Sequence, residues 1–568
     1  MRQLLVFLIP CSVTLCQVSG ACPSEVHGAL LWPLSVAALA LQVLLGKRSN
    51  WLHFLSLLLM LWAAQALVLL APLVPHVEVP MARIGEGVEG IHPIREVPTS
   101  EALDGFGGSL VEKGGAIRSI SVVLPCAEER ENAIRTVERF CRRTPSDILK
   151  EVLVVDDGSN PPLVELFKQN DLRLDQDPSC VVRFLRHEVT TGLMAAKLTG
   201  GREAQGDVIA FIDCHCAPQE NWYQEILEQV RLNPRRMVVP AITDLDMDTF
   251  DEHKDSQVNA KCYLTFDADF KWFDDESDFI PTISGGLVAM GREWFNLTGG
   301  FDEGMHGWGG ENLDQSLRAW LCGGEIVRAK SSRIAHMWRT SDRRTATHYR
   351  IKARPTNNRG RVVAAWFGPF REVARSAAVD EAAVQNYASF KERLHCRPFS
   401  YFIYRFRKLY LEGGVLARES FQLQEVSSGL CLQTQKLGDC GPGRSRLQLG
   451  NVDRSTGKCC SGLRIHGSNN CFDYFDKSGI HPYACDVMGR NMNQQYRLLE
   501  DGRLQKGDTD CMVAGSGQRV SLKPCSDLQP GEGLWKKIDV QETKEYQVYR
   551  RELANDQWDT KFPQLPDN

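Results

Sequence analysis

Residues 207–216 read Asp-Val-Ile-Ala-Phe-Ile-Asp-Cys-His-Cys, an apolar, strand-like run that ends in Asp213-x-His215. In extended backbone residues i and i+2 point the same way, so the Asp213 carboxylate and the His215 imidazole can converge on one ion at the strand's end. One oxygen and one imidazole nitrogen, with no thiolate required, suit a manganese-like divalent ion that keeps positions open for phosphate oxygens. The same pair also fits a strand end whose acid and imidazole are simply solvated.

The elements around this pair decide between those readings. From Ser119 the pattern alternates: 120–125 reads as a buried strand, 129–143 as a helix, and 151–155 as a second strand ending in Asp156-Asp157. A helix over 193–205 leads through Gly206 into a strand at 208–212. Short continuous apolar runs of this kind are buried parallel strands, and ligands in open α/β sheets bind at the carboxyl ends of such strands. Asp156, Asp157 and Asp213 occupy those ends. Acids beside a diphosphate repel it unless a cation intervenes, so a nucleotide here requires a metal.

Two later segments extend the candidate site. Residues 281–292 place Gly285-Gly286 before an apolar strand, where missing side chains let a ligand approach the backbone. Residues 300–312 hold Trp308, Glu311 and Asn312 in a glycine-rich loop that opens a helix at 313–321. Trp308 suits the apolar face of a sugar and Glu311 its hydroxyls. Packing for the Trp and helix capping for the Glu are the plainer alternatives.

Composition bounds the function classes. A chain of 568 residues exceeds one core, and a net charge of −5 with dispersed Lys and Arg argues against nucleic acid. Nineteen cysteines, eight of them crowded into 431–525, point to an oxidising compartment and to disulfides rather than zinc, since no Cys-x-x-Cys knuckles occur. At the amino end, residues 3–21 follow Arg2 and read as a signal peptide or a first membrane pass. Residues 28–46 and 51–75 are near bilayer-crossing length, with Lys47-Arg48 between them, and buried core helices are the alternative. If those charges face the cytosol, everything after about residue 76 lies in a lumen.

Taken together, the motifs resemble the polypeptide N-acetylgalactosaminyltransferase family. Its Asp-x-His-Cys is Asp213–Cys216, its Pro-Thr-x-x-Gly-Gly-Leu is residues 281–287, its Trp-Gly-Gly-Glu-Asn is 308–312, and its Ser-Arg-x-x-His-x-x-Arg is 332–339. The resemblance covers roughly residues 119–540. It implies a GT-A (Rossmann-like) α/β domain and retaining transfer of GalNAc from UDP-GalNAc to Ser or Thr hydroxyls of proteins. It also implies Mn2+ held by Asp213, His215 and His336. Arg339 would meet the diphosphate, Asp157 the uridine part, and Glu311, Gly285 and Gly286 the sugar. Asn312 is expected at the substrate, and Trp308 is expected to help close the site. Cys322 and Cys396 match a family disulfide. Asn358 and Arg361 resemble the stretch after the family's flexible loop, or are plain surface polar residues.

The chain also departs from the family. His-Asn-Glu after the first strand is Cys126-Ala127-Glu128, Gly-Leu-x-Arg is Gly192-Leu193-Met194-Ala195, and Ser331 replaces a cysteine. Ala195 removes a cation expected near the nucleotide.

Residues 417–540 change character, with short strand-like runs, many glycines and cysteine pairs at intervals of roughly forty residues. They resemble a ricin-type β-trefoil. That likeness implies disulfides Cys431–Cys440, Cys471–Cys485 and Cys511–Cys525. It also implies sugar binding in the second repeat through Asp473, Tyr483 and Asn493, a trefoil kept for packing alone being the alternative. The domain layout expected is signal-like and transmembrane segments (1–75), a lumenal stem (76–117), the GT-A domain (118–398), a linker (399–416), the all-β lectin domain (417–540) and a tail (541–568). The whole reads as a Golgi membrane enzyme with lumenal catalytic and lectin domains. Its partners would be a UDP-sugar, Ser/Thr-containing proteins or glycopeptides, and no nucleic acid. The alternatives are a catalytically weak relative that binds glycosylated proteins, or a transferase using another UDP-sugar.

Overall fold

The computed structural model describes residues 117–169, 180–258, 261–339, 357–434, 436–449, 462–476 and 479–555. The apolar segments expected to meet a membrane lie outside these residues. Among the described residues no helix is long and apolar enough to cross one.

The first half builds one twisted sheet with helices against it. Its elements begin β1 (Ile120–Cys126), α1 (Glu131–Arg143), β2 (Leu149–Asp157), α2 (Leu163–Gln169), β3 (Val182–His187), α3 (Leu193–Glu203) and β4 (Val208–Phe211). They continue with β5 (Cys216–Pro218), α4 (Tyr223–Leu232), β6 (Arg236–Asp246), β7 (Asp251–Glu252), β8 (Cys262–Leu264), β9 (Phe270–Trp272), β10 (Val288–Gly291), α5 (Arg292–Leu297), α6 (Glu311–Leu321) and β11 (Glu325–His336). The helices α7 (Asn358–Trp366), α8 (Ala388–Arg393) and α9 (Phe399–Arg405) close this part.

The sheet runs β3-β2-β1-β4-β10-β6-β11-β5, with β7 on β6. β1, β2, β3 and β4 pair in parallel, as their continuous apolar runs predict, and β10 enters antiparallel between β4 and β6. In α1 the buried residues Ala133, Ile134, Val137 and Phe140 recur at helical spacing. Glu131 in its first turn and Arg142 and Arg143 in its last complement the helix dipole.

α1 starts at Glu131 rather than at Glu129, and that two-residue difference places Glu129 in the turn above the sheet. α6 starts at Glu311, two residues before the expected position, so this acid lies in its first turn.

Residues 399–416 are not a linker. Phe399, Phe402, Ile403, Leu409 and Tyr410 are buried in the catalytic core, and the Tyr410 hydroxyl donates to the Leu264 carbonyl at 2.7 Å. A run this aromatic has too much apolar surface to remain a solvated tether. The expected tail is likewise structured in part: Lys544–Asn555 forms α10, whose Val548 and Tyr549 join the same core.

Between these segments lie twelve short strands among the described residues, from β12 (Glu419–Glu425) to β23 (Trp535–Glu542). Phe421, Leu432, Phe472, Tyr496, Met512 and Trp535 share their core, where the Trp535 indole donates to the Met512 carbonyl at 2.8 Å. The β-rich unit leans on the catalytic one. Val487 inserts into the catalytic core, and Asn469 donates to Asp267 at 3.2 Å.

All four expected disulfides are present: Cys322–Cys396, Cys431–Cys440, Cys471–Cys485 and Cys511–Cys525. Two more, Cys126–Cys214 and Cys141–Cys180, were not anticipated. The first follows from register. β1 and β4 pair with Val123 opposite Phe211, and continuing three residues along both strands brings Cys126 opposite Cys214. Ser331, standing where a cysteine was expected, donates through its hydroxyl and its N–H to Glu225, each at 2.6 Å.

Candidate metal and sugar-nucleotide site

Three separated side chains meet at the carboxyl edge of the sheet. Asp213 and His215 lie in the short connection between β4 and β5, and His336 is the last residue of β11. β11 pairs antiparallel with β5 so that His336 stands opposite Cys216, and the Met337 N–H donates to the His215 carbonyl at 3.2 Å. That register brings a residue from over a hundred positions away beside the Asp-x-His pair. His336 Nε2 lies 3.3 Å from Asp213 Oδ2, and the two imidazole centroids are 5.0 Å apart.

One ligand atom from each of the three lies within 4.8 Å of the others. An oxygen and two imidazole nitrogens at this spacing fit a manganese-like ion. Burial pushes Asp213 upward, but the His336 hydrogen bond and the charges of Lys197 and both imidazoles outweigh it and hold the carboxyl well below its usual range. Burial also pushes His336 down, favouring the neutral imidazole that metal binding needs. Three buried atoms around the triad have no partner among the described residues: Glu129 Oε2, Glu311 Oε2 and His336 Nδ1. Buried polar atoms are rarely left so, and a group bound at the triad would satisfy these three.

The two glycines are explained by the acids beside them. A Cβ on Gly286 would stand 2.7 Å from Asp213 Oδ2, and one on Gly285 would stand 3.0 Å from Glu311 Oε1 at a backbone φ of 109°. Burial raises the Glu311 carboxyl, with the Lys197 charge opposing. Lys197 is fully buried and donates to the Gly285 carbonyl. Sequence reasoning registered the lost cation at position 195 and missed this one, although a lone lysine in Leu-Met-Ala-Ala-Lys-Leu is itself a signal.

Other expected residues have different duties. Asp157 is buried, and its oxygens accept from the Thr191 N–H and hydroxyl and the Gly192 N–H and contact His187 Nδ1, at 2.7–3.1 Å. A carboxylate so engaged holds the loop at residues 191 and 192 in place. Gly192 in turn bridges Gly307, and Leu193 N–H donates to the Gly307 carbonyl at 3.0 Å. The Trp308 loop is pinned from its other side by the Asn358 amide, which donates to the His306 and Gly309 carbonyls at 3.0 and 2.9 Å. Arg361 pairs with Asp302 below it. Asn358 and Arg361 are therefore buried struts, not surface residues. Asn312 gives its amide to the Ile283 carbonyl at 3.1 Å, which ties down the segment before the two glycines. Trp308 itself is 63% exposed, so packing is not its role.

Arg339 meets Glu129, which also lies 3.2 Å from His215 Nδ1. Beyond His336 an aromatic shelf opens that sequence reasoning did not see. Trp338 stands edge-on to His336 at 4.5 Å, and Trp272 lies 6.1 Å from Trp338. Both are partly exposed, and the Trp338 indole is fixed by Asp244 at 2.7 Å.

In the β-rich unit, Asp473 is buried in β17 (Asn470–Asp476), opposite His481 of β18 (Gly479–Ala484). Its Oδ2 accepts from the amides of Asn491 and Gln494, each at 2.9 Å, while Oδ1 has no partner among the described residues. The neighbouring amide is thus Asn491 and not Asn493, whose backbone N–H instead donates to Asn491 Oδ1 at 3.0 Å. Asn493 lies in the short helical turn at Met492–Gln494. Tyr483 is 61% exposed on the next strand.

The glycosyl transferase family 2 profile matches residues 121–295, the stretch that holds β1 to β4, Asp213 and His215. A second profile, described as the N-terminal domain of galactosyltransferase, matches residues 275–341. Among curated proteins, the chain is 26% identical over 475 residues to a putative polypeptide N-acetylgalactosaminyltransferase 10 of Caenorhabditis briggsae, covering 74% of this chain and 71% of that one. It is 27% identical over 416 residues to human polypeptide N-acetylgalactosaminyltransferase 10, covering 66% and 67%. It is 32% identical over 320 residues to a probable N-acetylgalactosaminyltransferase 9 of Caenorhabditis elegans, where the match spans 51% of this chain and about half, 52%, of the relative. A crystal structure of GalNAc-T7 with UDP, GalNAc and Mn2+ superposes with a TM-score of 0.47 at 19% identity, over 76% of this chain and 83% of that one. Over these stretches the chain is similar to polypeptide N-acetylgalactosaminyltransferases.

Proposed function

We propose that the protein transfers GalNAc from UDP-GalNAc to Ser or Thr hydroxyls of proteins, dependent on Mn2+. The observation that carries this reading is the convergence of Asp213, His215 and His336 beside the Gly285-Gly286 turn and Glu311. Those three residues would hold the ion, which when bound neutralises the departing diphosphate. Arg339 offers a guanidinium at the same edge, and the unpartnered Glu311 Oε2 is free to bond a sugar hydroxyl. The missing side chains at Gly285 and Gly286 let the backbone lie directly against Glu311 and Asp213. Trp308, exposed on its pinned loop, supplies a stacking face.

The Trp272 and Trp338 shelf suits an extended peptide acceptor lying against the site, with its hydroxyl presented toward His336. In the β-rich unit, read as a ricin-type β-trefoil lectin, Asp473 Oδ1 and the Tyr483 ring would bind a GalNAc already present on the acceptor. The six disulfides among the described residues support residence in an oxidising lumen, and Golgi membrane anchoring through residues 1–75 completes the proposal.

The test is transfer by the purified protein to a Thr-rich peptide with Mn2+ and a panel of UDP-sugars. Transfer from UDP-GalNAc that disappears in D213A and on chelation is expected. Transfer from a different UDP-sugar would replace the donor, and retained GalNAc binding without any transfer would replace catalysis by recognition alone.

A further inference from the structure

We infer that Glu129 is a positioning residue of the metal site, holding the His215 ring in one tautomer and orientation while it anchors Arg339 at the same edge. The inference rests on the metal reading above and assigns a part of that site to a residue outside the expected ligand set.

The turn that carries Glu129 is built to aim it. β1 ends at Cys126, whose disulfide to Cys214 clamps the start of the turn to the segment between the two ligands Asp213 and His215. Only four residues then separate Cys126 from the first residue of α1. Glu128 and Arg130 both adopt positive φ, at 56° and 49°. That conformation is costly for residues with a Cβ and persists where surrounding contacts impose it. Those contacts are present: the Glu128 N–H donates to Ser159 Oγ at 3.0 Å, and Asn160 N–H donates to Glu128 Oε1 at 2.9 Å. Glu128 points back to the chain after β2, and Glu129 between the two strained residues is turned inward and buried.

Glu129 Oε1 meets His215 Nδ1 at 3.2 Å and accepts from Arg339 Nη2. Arg339 Nη2 also stands 3.2 Å from His215 Nδ1, but the guanidinium has its closer partner in the carboxylate. An ionised carboxylate only accepts, so its contact with the ring requires the hydrogen on Nδ1. The lone pair then falls on Nε2, the nitrogen left to a metal. A carboxylate on the far nitrogen of a ligating imidazole fixes the ring and raises its basicity, and removing such a partner typically costs about 10- to 100-fold in metal affinity.

The experiment is Mn2+ titration of the whole protein, read by loss of the free-ion EPR signal, for wild type, E129Q and E129A. Wild type is expected to bind, E129A to bind about 10- to 100-fold more weakly, and E129Q to fall between. In transfer assays the apparent KM for Mn2+ should rise in E129A and be partly rescued in E129Q, whose amide oxygen can still accept from the ring N–H, a rescue that general loosening of the fold would not give. Wild-type Mn2+ affinity in a folded E129A overturns the inference, and if E129A does not fold, wild-type affinity in E129Q overturns it equally. Wild-type protein that binds Mn2+ without transferring GalNAc would count against the proposed activity, and the affinity series would still decide the role of Glu129. Wild-type protein that does not bind Mn2+ would overturn both.

Discussion

The catalytic edge and the second repeat of the β-rich unit each contain a buried acid with one unpartnered oxygen, yet they are assembled in opposite ways. Around the metal site the residues come from five separate segments: Glu129 after β1, Asp213 and His215 after β4, the glycines before β10, Glu311 opening α6 and His336 ending β11. Around Asp473 everything comes from residues 473–494, one hairpin and the turn after it. A site assembled from many segments depends on sheet register and on close approach of backbone. A site within one hairpin depends on a short stretch of local geometry. Substitutions should therefore spread differently in the two.

The largest separation is expected from H336A. It removes one of three ligands, so Mn2+ binding and transfer should fall by about 100-fold or more, while GalNAc binding by the β-rich unit stays at wild type. Parallel measurements of Mn2+ affinity and of binding to GalNAc-bearing resin check it, and a parallel loss in both would break the contrast. Next comes G286A. Its Cβ would collide with Asp213 Oδ2 at 2.7 Å and must displace the carboxylate. Mn2+ affinity should drop by about 10-fold with little change in Tm, a remote backbone effect with no counterpart in the hairpin site.

D473N should do the converse. Losing a charged acceptor costs roughly 1.5–3 kcal/mol, so GalNAc-resin binding should weaken by about tenfold or more, with transfer to an unglycosylated peptide unchanged. The smallest effect sits beneath the Trp308 loop. Burial would raise Asp302, but its paired hydrogen bonds from Arg361 hold it below its usual range. A folded pKa below the unfolded value adds stability that is present above about pH 4 and lost as pH falls through the folded value. Wild-type Tm should thus decline more steeply below about pH 4 than that of D302N, as a pH series of melting curves would show.

How much was legible follows the same division. The strands β1, β2 and β4 were readable because buried parallel strands are continuous apolar runs, and four disulfides were readable because family spacing carried them. Residues 399–416 were misread as a linker because an aromatic stretch without clear periodicity shows its burial only when a core is there to receive it. Asp157, Asn312 and Asn358 have the polarity of ligand contacts, and each also hydrogen-bonds the protein's own backbone. Polarity alone does not tell the two apart.

By itself the sequence determined the local chemistry: an acid and an imidazole two residues apart on a strand end, glycines where side chains cannot fit, and cysteine pairs closing short hairpins. Period and composition act over a few residues, and these features need no more than that. The tertiary structure decided which distant groups meet. The antiparallel register of β11 on β5 delivers His336, the parallel register of β1 on β4 joins Cys126 to Cys214, and the clamped turn that results carries Glu129 to His215. Register is set by the burial of whole strand faces, a property of the assembled sheet that no short stretch of chain contains.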